Sequence, residues 1–180
     1  MPIGTQKTAL LIMDVQPRVI DRVTDKAAYL DLAQSAVANA HAKGIRVIYV
    51  VVSFRPDAPE ASDLFRSHAN SFVDAQPVMT PANGDVVVTK KRISAFAGSD
   101  LEVLLRATDV RHLVLCGIAT SGVVLSTLRE ASDKDYTVTV LSDLCADTDP
   151  EVHRVLLEKI FPRQAKVITA AEWIALDDGA

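Results

Sequence analysis

Ala9-Leu10-Leu11-Ile12-Met13-Asp14-Val15 is an apolar run interrupted near its end by a single carboxylate. It does not alternate with polar residues, so both of its faces must be covered, as in a strand in the middle of a parallel sheet. Runs of the same kind follow at Arg46 to Val52, Asp85 to Thr89, His112 to Ile118, Thr137 to Leu141 and Lys166 to Thr169. Between them lie segments of helical period. Lys26 to Lys43 carries Ala27, Leu30, Ala33, Val37 and Ala40 on one face and stops at Gly44. Ser99 with Glu102 reads as a capping box ahead of Leu101, Leu104 and Leu105. Thr148 with Glu151, and Pro150 near the first helical position, open another helix, with Val152, Val155 and Leu156 following. A further helix is expected from about Ser121 to Lys134. Strand and helix alternating this regularly imply right-handed crossovers and a doubly wound open sheet of class α/β.

Composition agrees. The 180 residues are 49% hydrophobic but only 5% aromatic, so Val, Leu, Ile and Ala supply the buried strands and the helices over them. A chain of this length suits a single domain over 1–180 with one sizeable core. Its apolar runs fall short of the ~18 residues of a membrane span, so no membrane partner is expected. Met1 to Lys7 lacks the basic-then-apolar pattern of a secretory leader. Cys116 and Cys145 fit a reducing compartment, and the cytoplasm is the expected location, although a pair leaves room for one bridge. Nineteen basic against 23 acidic residues give a net charge of −4 without a basic run, which disfavours nucleic acid and points to a small-molecule partner. Ser53 to Gly84, with Pro56, Pro59, Pro77 and Pro81, is too long for an ordinary strand-to-helix connection. It reads as a lid or oligomer interface, or as a surface excursion with a short helix near Ala61 to His68.

Ligands of open parallel sheets bind outside the carboxyl ends of the strands. Three features lie there. Asp14 ends the most hydrophobic strand, where a lone buried carboxylate is costly. Lys90 follows the third strand. Gly117-Ile118-Ala119-Thr120-Ser121-Gly122-Val123 is a small-residue turn leading from strand into helix, whose amides suit an oxyanion. Asp14 and Lys90 make an acid/base pair beside that turn, or a structural ion pair closing the sheet.

Ala9-Leu-Leu-Ile-Met-Asp14-Val-Gln16-Pro, Asp85-Val-Val-Val-Thr-Lys90-Lys-Arg-Ile-Ser94-Ala-Phe96, Leu113-Val-Leu-Cys-Gly117-Ile-Ala-Thr120-Ser-Gly and Val140-Leu-Ser-Asp143, in this order, resemble the isochorismatase-like hydrolase family. The resemblance implies a three-layer α/β/α, Rossmann-like fold with an open six-stranded parallel sheet, a homo-oligomer, and a cis peptide at Ile118-Ala119. Most members resemble nicotinamidase and use an Asp, a Lys and a nucleophilic Cys. The Asp matches Asp14, and the Lys matches Lys90 rather than Lys91. Nicotinamidases add metal ligands after the second strand, where this chain reads Ser53-Phe-Arg-Pro-Asp-Ala-Pro-Glu60 without histidine, so neither metal nor other cofactor is expected.

The family's cysteine falls at Val123, and valine has no nucleophile. Cys116 lies within a strand and reads as core, while Cys145, just past the fifth strand, is a candidate for a displaced nucleophile. The isochorismatases proper, with a small residue at that position, hydrolyse a vinyl ether using Asp and Lys. By that resemblance Asp14 donates the proton, Lys90 holds its charge state, and the turn residues Ile118, Ala119, Thr120, Ser121 and Gly122 bind an oxygen. Valine narrows the space for an isochorismate-sized substrate. Arg55 is a candidate clamp for a substrate carboxylate or a surface arginine. Phe96 and Phe54 are candidate pocket walls or core, Ser121 is an N-cap candidate, and His68 and His153 read as solvated or capping. The alternative to a thiol-independent hydrolase is a catalytically silent oligomeric binding protein of the same fold.

Overall fold

The computed structural model describes residues 7–176. Six strands form, β1 Lys7–Met13, β2 Arg46–Val52, β3 Val86–Lys90, β4 Val110–Ile118, β5 Thr137–Ala146 and β6 Lys166–Ile168. Along β1, Leu10 and Ile12 pack into one apolar layer and Ala9, Leu11 and Met13 into the other, which is why the run does not alternate. All pairings are parallel, in the order β3-β2-β1-β4-β5-β6. Helices α1 (Lys26–Ala42) and α6 (Ala170–Ala175) cover one face, with Tyr29, Ala33, Ala36, Val37, Ala40 and Trp173 buried there. The other face takes α3 (Leu101–Ala107), α4 (Leu125–Asp133) and the segment leading out of α5 (Pro150–Val155), through Leu101, Leu105, Leu128, Leu156 and Phe161. This is the expected three-layer α/β/α arrangement.

The six strands stand at the apolar runs, but β1 stops at Met13, short of Val15, and β5 runs on from Leu141 to Ala146, so Cys145 lies within β5, paired with Gly117 of β4, rather than past its end. Gly44, with φ 63, ends α1, and Ile45 N bonds back to Ala40 O at 2.8 Å. The buried stripe of α1 is rotated from the expected one: Tyr29 and Ala36 are buried, while Ala27 is exposed and Leu30 only half-buried. Tyr29 earns its place by donating to Leu144 O at 3.0 Å.

Two expected capping boxes do not form. Asp100 is the N-cap of α3, while Ser99 Oγ donates back to Ala95 O at 2.6 Å and Glu102 turns to Lys134. At α5 the cap is Asp149 rather than Thr148, accepting from Glu151 N and Val152 N, with Pro150 in the first turn as expected. In both cases an Asp one residue later takes the N-cap position. A capping box does form at Thr169 and Glu172, opening α6, which the sequence reading passes over.

The long 53–84 connection contains α2 (Asp63–Ala69), close to the short helix expected there, and a one-turn helix at Asn70–Phe72. Phe54, Ala58, Ala61 and Ala69 give it a small core of its own. Residues 1–6, and with them most of the leader reading at Met1 to Lys7, lie outside the described residues. Among the described residues no helix is long and apolar enough to cross a membrane.

Candidate active site

The strand order reverses direction between β1 and β4, and a crevice for a ligand lies outside the carboxyl ends at such a reversal. Asp14 leaves β1 there with φ 57, an uncommon backbone conformation for a residue other than glycine. Its amide still donates to Val50 O at 2.8 Å. Two residues on, the wholly buried Gln16 imitates a strand residue: its side chain donates to Val52 O at 3.0 Å and accepts from Val52 N at 2.8 Å. The exits of β1 and β2 are thereby tied together.

On the other side of the reversal, Gly117 stands opposite Met13 with φ 149, and a Cβ there would lie 2.2 Å from Met13 O. Only glycine lets the two strand ends approach so closely. One residue further on, the Ile118-Ala119 peptide is cis, as the resemblance implies.

Lys90 ends β3 and reaches Asp14, its Nζ 2.9 Å from Asp14 Oδ2. The same ammonium donates to Arg92 O at 2.9 Å and Ile93 O at 3.0 Å, so each of its protons has an acceptor. Lys90 is 3% exposed and Asp14 8%. Asp14 Oδ1 is buried with no hydrogen-bond partner. Burial pushes the Asp14 carboxyl above its ordinary value, against the charge and hydrogen bond of Lys90 and the charge of Arg22. The arrangement is a desolvated carboxyl with one oxygen anchored and the other uncommitted, which suits a group that must hold and release a proton.

The turn after β4 differs from the simple anion cradle expected. Thr120–Val124 forms a short π-helical segment before α4, its N-cap position is Ala119, and no side chain caps it, so Ser121 is not the N-cap. Ser121 N donates to Asp147 Oδ2 at 2.7 Å and Gly122 N to Ala119 O at 3.1 Å, so these two amides are occupied within the protein. Burial raises the Asp147 carboxyl, but hydrogen bonds from Ser121, Asp149 and Thr148 outweigh it and hold the group below its usual value. Thr120 is wholly buried, its hydroxyl 2.8 Å from His153 Nδ1, so His153 is a half-buried partner of the turn rather than a solvated or capping group. Val123 is 2% exposed and packs in the core layer of α3 and α4.

The other candidates make their contacts with different partners. Arg55, its side chain 72% exposed, meets Glu60 at 3.4 Å. Phe96 stacks on Tyr136 in the core, ring centres 6.0 Å apart, and Phe54 belongs to the small core of the 53–84 connection. His68 bonds Ser67 Oγ at the surface. Cys116 is buried in β4, its thiol pushed well up by burial. Burial lifts the Cys145 thiol to about 12, against a hydrogen bond from the Gly117 backbone and helped by the charge of Asp143, so at neutral pH it carries no thiolate. Among the described residues no three His, Cys, Asp or Glu side chains gather as a metal site.

Sequence reasoning misses Asp147 and Glu60. Asp147 lies two residues past Cys145 at the carboxyl end of β5, a position that strand-end reasoning can find. Glu60 sits inside the long connection, where no periodicity or spacing marks it.

The isochorismatase domain model matches residues 8–172. An uncharacterised isochorismatase family protein of Bacillus subtilis (strain 168), YwoC, is 30% identical, over 96% of this chain and 95% of its own. The ureidoacrylate amidohydrolase RutB of Acinetobacter baylyi is 31% identical over 88% of this chain and 78% of its own. Among solved structures, a cysteine hydrolase from Pseudomonas syringae pv. phaseolicola 1448A superposes with a TM-score of 0.83 at 27% identity, over 93% of this chain and 91% of that one. With the strand order and the Asp14–Lys90 pair already in place, these matches show that the chain belongs to the isochorismatase family of hydrolases.

Proposed function

We propose that this chain hydrolyses a small polar molecule without a thiol, with Asp14 as the acid. The observation that supports this best is the buried Asp14–Lys90 pair at the sheet's reversal, with Asp14 Oδ1 left uncommitted. Burial favours the protonated carboxyl, so Asp14 can deliver a proton to the double bond of a vinyl ether. The carbon next to oxygen then takes up water, and the carboxylate accepts the proton that water gives up. The hemiketal so formed breaks its C–O bond to give a carbonyl and an alcohol. Lys90 stabilises the carboxylate in the charged half of this cycle and keeps it aimed. Against a thioester route stand the hydrocarbon at position 123, where the resemblance places the family's cysteine, and the Cys145 thiol, which stays protonated.

Amide hydrolysis is the reaction named for the Acinetobacter relative, so ureido acids belong beside vinyl ethers in a substrate screen. The experiment is that screen with wild type and Asp14→Asn. Turnover lost in Asp14→Asn by about three orders of magnitude supports the assignment of the acid. Turnover that survives the substitution overturns it.

A silent binding protein is the second reading, favoured by one observation: Val123, which the resemblance places at the family's cysteine position, is buried in the core. Ligand binding without turnover of either substrate class would establish it. A homo-oligomer is part of both readings and is tested by sedimentation.

A further inference from the structure

The Lys90 ammonium is fixed by three acceptors, Asp14 Oδ2 and the carbonyls of Arg92 and Ile93. Two of the three belong to the short 91–93 loop, so the place of the ammonium depends on what holds that loop. Lys91 N bonds Ala97 O at 3.2 Å and Arg92 Nη1 donates to Lys91 O at 2.7 Å, and the long side chains of Lys91 and Arg92 also reach the 53–60 segment. Arg92 Nη1 donates to Glu60 O at 3.0 Å. Lys91 Nζ lies 3.5 Å from Glu60 Oε1, donates to Ser53 O, and sits 5.8 Å from the centre of the Phe54 ring.

Glu60 is the hub of these contacts. Its Oε1 accepts from Arg55 N at 3.1 Å and meets Arg55 Nη1 at 3.4 Å, while its own backbone carbonyl takes Arg92. A hydrogen bond from its own backbone holds the carboxyl below its ordinary value against burial, with the Arg55 backbone and the charges of Arg55 and Lys91 adding to the effect. The group is therefore ionised at neutral pH. Its side chain is only 17% exposed, and Oε2 is buried with no hydrogen-bond partner. A free glutamate would turn that oxygen to water, so the contacts of Oε1 outweigh the loss.

We propose that the Glu60 carboxylate is a positioning group for the acid: through Lys91, beside the Glu60 backbone carbonyl that holds Arg92, it sets the 91–93 loop, whose carbonyls hold the Lys90 ammonium against Asp14. The proposal rests on the reading of Asp14 as the proton donor, but its test does not require turnover. Charged groups acting on Asp14 are Lys90 and Arg22, and those facing Glu60 are Arg55, Lys91 and Arg92. Loosening Lys90 removes part of the attraction that favours the ionised carboxyl, so the Asp14 midpoint must rise.

The measurement is the titration of the Asp14 carboxyl by carbon-13 NMR in wild type, Glu60→Ala and Glu60→Gln. In Glu60→Ala the midpoint is expected to rise by about half a unit or more, and in Glu60→Gln, which keeps an acceptor for Arg55 N, by less. With a substrate in hand, kcat in Glu60→Ala falls about tenfold while KM stays within about twofold, the scale on which supporting residues act. A folded Glu60→Ala protein whose midpoint stays in place overturns the proposal, even if its Tm falls, because a merely structural residue would act on Tm alone. If Glu60→Ala does not fold, Lys91→Met cuts the same link and is read by the same midpoint. A midpoint that moves in a protein without turnover upholds the positioning role and counts against the hydrolase reading alone.

Discussion

Strands β1 and β4 lie side by side, and each of their two ends holds a buried polar cluster built in the opposite spirit. At the amino end, His112 is 7% exposed, with Nε2 2.9 Å from Thr139 Oγ1 and Nδ1 3.3 Å from Thr8 Oγ1. Both ring nitrogens have hydroxyl partners that suit a neutral imidazole. Burial, helped by the charge of Lys166, lowers its pKa to about 4. At the carboxyl end, Asp14 has a left-handed backbone, a charged neighbour and an oxygen with no partner. A satisfied buried cluster stabilises and specifies a fold, whereas a partly satisfied one at a strand-end crevice is the place to look for chemistry.

The largest expected effect comes from forcing apart the carboxyl ends. Gly117→Ala places a Cβ against Met13 O, so denaturant unfolding should show a loss above about 4 kcal/mol or no folded protein at all. Gly122→Ala, whose Cβ would meet nothing closer than Ala119 Cβ at 3.9 Å, should stay folded. Next in size is Lys90→Met, which leaves a buried carboxylate unpaired and should cost about 3–5 kcal/mol at neutral pH. That loss should shrink in acid, where Asp14 is protonated; a loss independent of pH would remove the ion pair from the account of this end.

The amino end should respond to acid in the opposite sense. His112 has a folded pKa below its unfolded value, so its contribution is complete above about pH 6.5 and fades as pH falls toward 4. Wild type should lose up to about 3 kcal/mol over that window from this residue, and His112→Gln should flatten the profile. Asp14, with a raised pKa, is most favourable to folding when protonated, and its contribution declines as pH rises through its folded value. If His112→Gln leaves the acid limb of the stability profile unchanged, the contrast between the two ends fails.

The strands, their parallel pairing and the Asp14–Lys90 pair were legible because runs such as Ala9–Met13 are too apolar to face water on either side, and because a carboxylate closing such a run demands a partner. Lys90 could be chosen over Lys91 by resemblance alone; the structure adds that Lys91 instead faces Ser53, Phe54 and Glu60. What escaped was set by loops. Asp147 occupies the Ser121 amide only because the chain after β5 bends back over the turn, and Glu60 meets Arg92 across 32 positions of sequence. Asp100 and Asp149 displaced the expected caps by one residue, a shift decided by where the incoming chain enters the helix rather than by residue type. The stripe on α1 was misplaced because Tyr29 is held by a bond to β5 that helical periodicity does not encode.

Gln16 gives the Asp14 bend a clock. Val52 N–H, on the last residue of β2, is bonded not by a neighbouring strand but by Gln16 Oε1. Its exchange with deuterated solvent must therefore wait for the 14–16 bend to lift away, while the sheet beside it stays closed. The exchange rate of one backbone amide thus reports how often the acid's own loop opens, in a protein whose substrate need not be known.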